Sequence, residues 1–323
     1  MRHHFLLNPA AGRRSRVEEY RAKIESSCTA RGVDFVIYET TCRGDATRYV
    51  RESSADTSTR HRFYACGGDG TLSETIRGGI GQEHVEFALL PIGTGNDFWR
   101  NFSCGEQFFD IDAQLDGVAA PLDAIRVGDR YCINMINIGF DCNVVATTAA
   151  IKRKRFVPNG FAYVAGIVVN LFRKFGTPMC LEWDGETVDR PLMLSAISGG
   201  GYCGGGFHSS PACSLSDGLL DLCMIEKVSR PTFLRLVGSY KDGSYLTNKL
   251  AQKYIRYLHT PLLSISFPAP TQVCLDGEIE VMSSLRIECV KDAIRFSVPQ
   301  GSRLLSGGER AADASAAVTS TTR

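Results

Sequence analysis

The sequence Gly-Gly-Asp-Gly-Thr at residues 67–71 lies between an apolar segment, residues 62–66, and a helix-like segment that begins at Leu72. Three glycines around one carboxylate, at a junction from strand to helix, let the backbone approach phosphates closely while one charged group points at them. A tight turn that binds no ligand would favour the same residue types. The pentapeptide by itself therefore predicts either a phosphate-binding loop or a plain turn between a strand and a helix.

Three other loops support the phosphate-binding interpretation. The apolar segment 88–92 runs directly into Gly-Thr-Gly-Asn-Asp-Phe at residues 93–98. Similar loops follow two earlier strand candidates, at residues 8–12 and 40–45. In open α/β sheets, ligands bind outside the carboxyl ends of the strands. We therefore expect four loops to converge on one edge of a parallel sheet.

Strand and helix patterns alternate through residues 1–123. Helix-like segments at 15–31 and 44–53 separate strand candidates such as 5–7 and 35–38. Such alternation predicts a parallel sheet with helices on its faces, that is, an α/β domain.

The pattern changes in residues 124–305, where short apolar segments are separated by turn residues. This pattern predicts a mostly antiparallel β domain, with helices at 160–174 and 230–238. Ser229 can cap the second of these helices. Residues 306–323 contain few large apolar side chains, which predicts a disordered tail.

The charge balance of the chain argues against nucleic acid as a partner. Lys and Arg number 36, and Asp and Glu number 35, whereas nucleic-acid-binding domains show a strong basic excess. The 12 cysteines are scattered, with no two closer than ten positions, so the sequence has no Cys-x-x-Cys metal or redox motif. They are expected to be reduced, in a cytosolic protein.

The sequence predicts a cytoplasmic chain without a transmembrane segment. Residues 1–7 contain one charge and a few apolar residues, and Asn8 and Pro9 end this run too early for a signal peptide. The apolar stretch 161–172 contains Asn170 and is shorter than the roughly 20 residues that cross a bilayer. Peripheral contact with a membrane stays open.

Three motifs in the second half of the chain could carry chemistry. Residues 198–206 contain six glycines, too many for a regular interior strand, so another segment is expected to pack closely against them. Residues 217–221 place a carboxylate in an Asp-Gly turn that leads into a strand. Asp276 and Glu278 stand two positions apart, on the same side if the segment is extended. An Asp-Gly turn explains this pair as well as a proton acceptor or metal site does.

Taken together, the motifs resemble the diacylglycerol kinase catalytic-domain family, which includes bacterial lipid kinases, sphingosine kinases and ceramide kinases. The resemblance covers about residues 3–300 and rests on six motifs in order, at residues 8–12, 67–71, 93–98, 199–206, 217–221 and 276–278. It implies an N-terminal three-layer α/β nucleotide domain, as in NAD kinases and lipid kinases, and a C-terminal β-sandwich-like domain. It also implies an active site in the cleft between the two domains.

The resemblance implies ATP as the phosphoryl donor and Mg²⁺ as its metal. The implied nucleotide contacts are Asn8, Pro9, Ala10, Ala11, Gly12, Thr40, Gly68, Asp69, Gly70, Thr71, Leu72, Ser73, Glu74 and Thr94. Gly67 belongs to the same loop, whose backbone amides can cradle phosphates. Asp69 is placed to hold Mg²⁺ on those phosphates. Arg13 is either a further cation for the phosphates or a solvated charge at the start of a helix.

The implied acceptor is a lipid hydroxyl, and the implied proton acceptor is Glu278 with Asp276 beside it. An alcohol attacks poorly unless a group within hydrogen-bond reach removes or holds its proton. We favour Glu278 as the base and Asp276 as an orienting or metal-linked group, although the sequence cannot separate the two. A second, structural Mg²⁺ is implied at Asp217, with carbonyl groups near Ser214 and Leu219.

One stretch of sequence bears on membrane contact. The basic run 152–155 is followed by the apolar stretch 161–172, a combination that favours an anionic bilayer surface. A solvated helix end followed by a core helix would explain the same residues. We expect a cytoplasmic enzyme that touches the inner face of the membrane peripherally, where its lipid substrate lies.

Two other functions fit part of the pattern. An NAD kinase shares the motif at residues 67–71, but residues 93–97 argue against it, as does the lack of an Asn-Glu dipeptide after the phosphate loop. A catalytically silent nucleotide- or lipid-binding protein would not need Asp69, Asp276 and Glu278. The sequence indicates neither the identity of the lipid nor the oligomeric state.

Overall fold

The computed structural model describes residues 1–152, 159–173 and 175–305. The chain divides into two units. Unit 1 contains Met1–Ala124, Leu215–Gly218 and the described residues from Val290 onward, and unit 2 contains Ile125–Ser214 and Leu219–Cys289. Most of the basic run at 152–155 and the tail predicted to be disordered lie outside the described residues.

Unit 1 is built on a parallel sheet. Its strands are β1 (Arg2–Leu7), β2 (Phe35–Glu39), β3 (His61–Cys66) and β4 (Val85–Leu90), in the order β2-β1-β3-β4. Beyond β4, the last part of a long strand pairs in parallel through Phe296 and Phe87. Five of the six residues of β1 and all six residues of both β3 and β4 are buried, as expected of parallel strands covered on both faces.

Helices cover both faces of this sheet. They are α1 (Arg14–Ala30), α2 (Asp45–Ser53), α3 (Asp69–Gly79) and the short α4 (Ile111–Leu115). Apolar side chains of α1 and α4 pack with alternate residues of β1, β3 and β4 in one core cluster. On the other face, Gly78 and Gly79 of α3 lie against Val50 of α2 and Phe87 of β4. The three-layer α/β prediction is confirmed.

The position of α3 differs in one respect from the sequence expectation. The helix begins at Asp69 rather than at Leu72. Asp69, Gly70 and Thr71 therefore form its first turn, so the phosphate-loop motif is partly the N-terminus of a helix.

Unit 2 is mostly antiparallel, as predicted. Its strands are β5 (Val118–Val127), β6 (Arg130–Cys132), β7 (Met135–Gly139), β8 (Thr177–Trp183), β9 (Glu186–Ser198), β10 (Leu220–Glu226), β11 (Ile255–Thr260), β12 (Leu262–Leu275) and β13 (Glu278–Val298). β5 and β13 contribute residues to both units. Within unit 2, the strands follow the order β11-β10-β9-β7-β12-β13, and β8 pairs with β9 and β12.

Some strand boundaries differ from those that the sequence predicts. Residues 263–267 and 272–275 look like two strands, but they form the single strand β12. Its register shifts between Ser266 and Thr271, where Pro268 and Pro270 cannot donate to the ladder. The sequence break is therefore an irregularity within one strand.

Three helices belong to unit 2, namely α5 (Phe140–Lys152), α6 (Asn159–Leu171) and α7 (Arg230–Asp242). α6 and α7 are predicted from the sequence, and the Ser229 side chain caps α7 as expected. α5 is not predicted, because its β-branched Val and Thr residues give a weak helical signal. Within the described ranges, the structure contains no helix that meets the length and hydropathy needed to span a bilayer.

Candidate active site

The loop after β1 is tied to the phosphate-loop motif by Asn8. Its backbone N–H donates to the Cys66 carbonyl at 3.1 Å, and its side-chain Nδ2 donates to Thr71 Oγ1 at 2.9 Å. The Asn8 side-chain oxygen accepts the Ala10 N–H at 3.0 Å. Asn8 therefore fixes both its own loop and the first turn of α3.

The loops after β3 and β4 touch each other through their backbones. Gly93 N–H donates to the Gly67 carbonyl at 3.0 Å, and Asp69 N–H donates to the Gly95 carbonyl at 2.9 Å. A Cβ atom added to Gly93 would lie 2.4 Å from the Gly68 nitrogen. These glycines are therefore required by contact between two loops, whether or not a ligand binds.

Further hydrogen bonds connect the loops after β1, β2 and β4 to one another and to neighbouring elements of unit 1. Thr94 N–H donates to the Ala11 carbonyl at 2.9 Å, and Thr40 N–H donates to the Leu7 carbonyl at 2.9 Å. Glu74 Oε2 accepts the Gly44 N–H at 2.9 Å. All four loops that the sequence predicts at this edge are brought together.

The N-terminus of α3 is open to an anion. Its N-cap residue, Gly68, has no side chain to cap the helix. The first N–H groups of a helix have no acceptor within the helix, and since the Asp69 N–H donates to the Gly95 carbonyl, those of Gly70 and Thr71 are the candidates for binding an anion. Gly70 is exposed, whereas Leu72 and Ser73 are buried. Leu72 and Ser73, which the resemblance implies as nucleotide contacts, therefore expose essentially no surface to a nucleotide.

A groove adjoins these loops at the start of α1. Its lining includes Gly12, Arg13, Arg16, Tyr20 and Thr94. Arg13 is exposed and stands at the N-cap of the helix. The guanidinium is therefore positioned beside the loop that carries the predicted nucleotide contacts.

Asp69 holds the loop after β4. One carboxylate oxygen accepts the Asp97 N–H at 2.7 Å, and the other accepts the Phe98 N–H at 3.1 Å. Asp97 is buried, and Arg100 Nε lies 3.5 Å from its Oδ1. In the described parts of the chain, no group of three or more His, Cys, Asp or Glu side chains could by itself hold a metal ion.

Asp276 lies in a tight hairpin turn of unit 2. Asp276 and Gly277 have φ values of +47° and +87°, which fit the two central positions of a type I′ turn between β12 and β13. The segment is therefore not extended, and the expectation that Asp276 and Glu278 lie on the same side of a strand does not hold.

The Asp276 carboxylate binds the backbone at the start of β7. It accepts the N–H groups of Ile133 at 2.8 Å, Asn134 at 3.0 Å and Met135 at 3.0 Å. Three N–H donors stabilise the charged carboxylate and occupy much of its capacity to accept hydrogen bonds. Asp276 therefore holds this segment of chain in place.

Glu278 has a different environment. Its Oε2 accepts a hydrogen bond from Arg130 Nη2 at 2.7 Å, and its side chain is 20% exposed. Arg130 also contacts Glu280. Glu278 thus keeps access to solvent while an arginine holds it in one place.

The glycine-rich loop 199–206 packs against the same segment that Asp276 holds. The Asn134 carbonyl accepts the N–H groups of Gly199 at 2.9 Å and Gly200 at 3.0 Å, and Asn134 Nδ2 donates to the Tyr202 carbonyl at 2.8 Å. The predicted close approach is therefore to Asn134, a residue that the sequence analysis missed. Its only sequence signal is a polar residue between two short strands.

The Asp217 loop is held by a second residue that the sequence analysis missed. Asp123 accepts the Gly218 N–H at 2.6 Å and the Asp292 N–H at 2.9 Å. Its own N–H donates to the Leu215 carbonyl at 2.7 Å. Asp217 itself is exposed. Ser214 and Leu219 flank this loop, and the metal implied at these three residues stays a prediction.

Unit 2 also contains a mostly apolar cavity between its sheet and its helices. Asp141 of α5 lines it together with apolar side chains that include Val144, Met193 and Phe233. Tyr240 donates to Asp141 Oδ2 at 3.3 Å. Burial raises the pKa of Asp141 to about 6, and the Tyr240 hydrogen bond opposes that rise.

Two family models match the chain. Residues 2–127 match the diacylglycerol kinase catalytic domain, and residues 134–298 match the YegS C-terminal NAD kinase beta sandwich-like domain. The two matches follow each other along the chain, as the sequence motifs do. They agree with the α/β and β-rich parts of the fold.

Curated proteins and solved structures show the same likeness. A “Probable lipid kinase YegS-like” protein of Pseudomonas aeruginosa is 30% identical over 91% of this chain and 94% of its own length. One of Alcanivorax borkumensis is 27% identical over 81% of this chain and 86% of its own length.

A crystal structure of a diacylglycerol kinase from Bacillus anthracis has a TM-score of 0.65 at 19% identity, covering 94% of this chain and 98% of that one. Another structure from that organism reaches a TM-score of 0.74 at 20% identity, over 94% of this chain and 97% of that one. At these identities the structures show the fold alone. The family models and the curated relatives show that the chain belongs to the diacylglycerol kinase catalytic-domain family.

Proposed function

We propose that the chain transfers the γ-phosphoryl group of ATP to a hydroxyl group of a lipid, such as diacylglycerol or a sphingoid base. The main observation in support of the proposal is that hydrogen bonds join four loops around the N-terminus of α3, which has no side-chain cap. They lie at the carboxyl ends of parallel strands, where α/β sheets bind ligands. The curated relatives are named as lipid kinases, which favours a lipid acceptor.

Unit 1 would bind the nucleotide. The N–H groups of Gly70 and Thr71 in the first turn of α3 would bind phosphate oxygens, and the helix dipole favours negative charge there. Arg13 would add a cation from the neighbouring groove. The loop contacts made by Asn8, Gly93 and Thr94 hold this arrangement before any ligand arrives, which reduces the entropy lost on binding.

The residues of unit 1 fit a magnesium ion that is bound together with the phosphates. The Asp69 carboxylate accepts the N–H groups of Asp97 and Phe98, but a carboxylate has about four lone-pair sites, and Mg²⁺ in kinases takes one or two carboxylates together with phosphate oxygens and water. A bound Mg²⁺ would neutralise charge on the transferring phosphoryl group.

Glu278 is the better candidate for the proton acceptor. The Asp276 carboxylate accepts hydrogen bonds from three backbone N–H groups, whereas Glu278 makes an ion pair with Arg130 and is partly exposed. A base needs an oxygen that can reach the lipid hydroxyl. Asp276 would then act as a positioning residue for the segment 133–135.

The acceptor is tested by incubating the purified chain with labelled ATP, Mg²⁺ and either separate lipids or NAD. We expect label in a lipid and none in NAD. Label in NAD alone would refute the proposal in favour of an NAD kinase-like activity. Nucleotide binding without transfer to any acceptor would instead identify a catalytically silent binding protein.

A lipid kinase meets its acceptor at a membrane, so the proposal includes peripheral contact with a bilayer. The acceptor lipid stays embedded while its hydroxyl reacts.

A further inference from the structure

Helix α6 buries its small and polar side chains. Ala162, Gly166 and Asn170 are buried and recur every four residues, so they share one side of the helix. That side packs on α5. A Cβ atom added to Gly166 would lie 2.6 Å from Thr148 Oγ1, and Asn170 Nδ2 donates to Thr147 Oγ1 at 2.9 Å.

The opposite side of α6 exposes apolar side chains. Val164 is 58% exposed, Val168 48% and Phe172, just beyond the last residue of the helix, 74%. They too recur every four residues, and Val169, 40% exposed, lies next to them. We call these four residues the apolar face. Ile167 and Leu171 pack, partly buried, against the core of unit 2, so α6 presents apolar side chains to solvent as well as to the core, whereas a surface helix normally turns a polar side to solvent.

Positive charge lies at one end of this face. Arg230 of α7 donates through Nε to the Leu171 carbonyl at 2.9 Å and through Nη2 to the Phe172 carbonyl at 3.4 Å, so its guanidinium lies at the C-terminal end of α6. Arg173 is exposed at the same end. A cation near a helix C-terminus is also favoured by the helix dipole.

The sequence around α6 contains no opposing negative charge. No Asp or Glu occurs between Asp141 and Glu182, a stretch that includes α6 and most of α5. The same stretch holds six Lys or Arg residues, at positions 152–155, 173 and 174. Residues 153–155 and 174 lie outside the described part of the chain, and only their charge is known from the sequence. The charge of this stretch is therefore wholly positive.

We propose that the apolar face of α6 docks onto an anionic lipid bilayer. Apolar side chains on an interfacial helix enter the boundary between head groups and acyl chains. Nearby cations are attracted to acidic head groups. The inference deepens the proposed function, because it names the surface through which the enzyme reaches its lipid.

A second copy of the chain fits the face less well. Four side chains on one helix cover far less than the roughly 800 Å² per partner of a standard protein interface. In a symmetric dimer the same patch meets itself, so Arg173 and Arg230 would approach their own copies. Like charges across an interface disfavour binding.

The proposal is tested by sedimenting the chain with vesicles of phosphatidylcholine, with or without phosphatidylglycerol, in the absence of ATP. We expect binding to the anionic vesicles that weakens as salt rises. Val168→Asp and, separately, Phe172→Asp should each reduce the partition into anionic vesicles about tenfold or more, because docking would then place a charge, rather than an apolar group, within the bilayer.

The matched control is Val118→Asp. Val118 is 75% exposed and belongs to unit 1, so its replacement should leave vesicle binding unchanged. Thermal unfolding checks that each variant is folded, and the two α6 variants allow the test to proceed if one of them is not. Unchanged vesicle binding by a folded Val168→Asp or Phe172→Asp variant would overturn the proposal. So would a dimer of the unaltered chain that Val168→Asp converts to a monomer.

A second assay separates this inference from the proposed function. Phosphoryl transfer is measured to a short-chain diacylglycerol dispersed without vesicles, and to a long-chain one within vesicles. If docking is as proposed, Val168→Asp keeps the first activity and loses the second. If the unaltered chain transfers to neither while its vesicle binding still depends on Val168, the lipid kinase proposal fails and the docking surface stands. Equal activity of variant and unaltered chain on both substrates would count against docking.

Discussion

Replacing Asp141 by asparagine should stabilise unit 2 at neutral pH. The carboxyl group lines a mostly apolar cavity, and Tyr240 is its hydrogen-bond partner. Burial raises the pKa of Asp141 from 3.8 to about 6. A neutral amide has nearly the same shape and can still accept the Tyr240 hydrogen bond, so the variant reports on the charge alone.

The pKa of Asp141 gives the size and the pH dependence of the effect. A raised pKa means that the folded state holds the proton more tightly than the unfolded state does. The stabilising contribution is therefore fully present below pH 3.8 and is lost as pH rises through about 6. Each pKa unit corresponds to 1.36 kcal/mol. Since Asp141 retains some accessible surface, we expect Asp141→Asn to stabilise unit 2 by about 1–3 kcal/mol at pH 7.5.

The assay is thermal or urea unfolding of the full chain at pH 4.5 and at pH 7.5, following the transition that reports on unit 2. The gain from Asp141→Asn should be clear at pH 7.5 and small at pH 4.5. Asp129→Asn is the control, because Asp129 is exposed. An equal gain at both pH values, or a loss of stability at pH 7.5, would show that burial of the charge is not the cause.

Three further perturbations test the active-site geometry and the core of unit 1. Glu278→Gln should lower kcat for phosphoryl transfer at least a hundredfold and leave the unfolding temperature unchanged. Asp276→Asn should also destabilise unit 2, by about 1–3 kcal/mol, through loss of backbone hydrogen bonds. Normal turnover of Glu278→Gln would show that Glu278 is not the base. Gly93→Ala should lower the unfolding temperature of unit 1, because its Cβ would lie 2.4 Å from a neighbouring backbone nitrogen, whereas Gly70→Ala meets no atom within 4 Å; equal effects would show that the loops separate easily. Burial lowers the pKa of His4 to about 3, and the charge of a neighbouring histidine contributes to this shift in the same direction. The free energy of unfolding that neutral His4 contributes is therefore fully present above pH 6.5 and should fall by about 1–2 kcal/mol by pH 5. Unfolding measured against pH should show a smaller loss in His4→Gln.

The N-terminal architecture could be predicted from the sequence because its signals are local. Parallel strands buried on both faces appear as continuous apolar segments, and the loops at their ends appear as Gly, Asn, Asp and Thr. Helix α7 could be placed for the same reason, since Ser229 and Pro231 mark its start. Such features can be identified without knowing which residues pack against them.

Helix α5 and the boundaries of β12 could not be predicted in this way. α5 is stabilised by its contacts with α6 and with the sheet of unit 2, whereas its β-branched Val, Thr and Ile residues lower its helix propensity. β12 continues through two prolines because both flanking segments pair with β13. In both cases tertiary contacts override the local preference.

The chemical roles of the carboxylates depended most on the tertiary structure. The sequence identifies Asp69, Asp276 and Glu278 as charged groups in the right motifs, because residue type and order along the chain are local information. It cannot show that Asp276 binds the N–H groups of residues 133–135, about 140 positions away, or that Arg130 pairs with Glu278. A carboxylate acts through the atoms within hydrogen-bond reach, and only the folded chain decides which atoms those are.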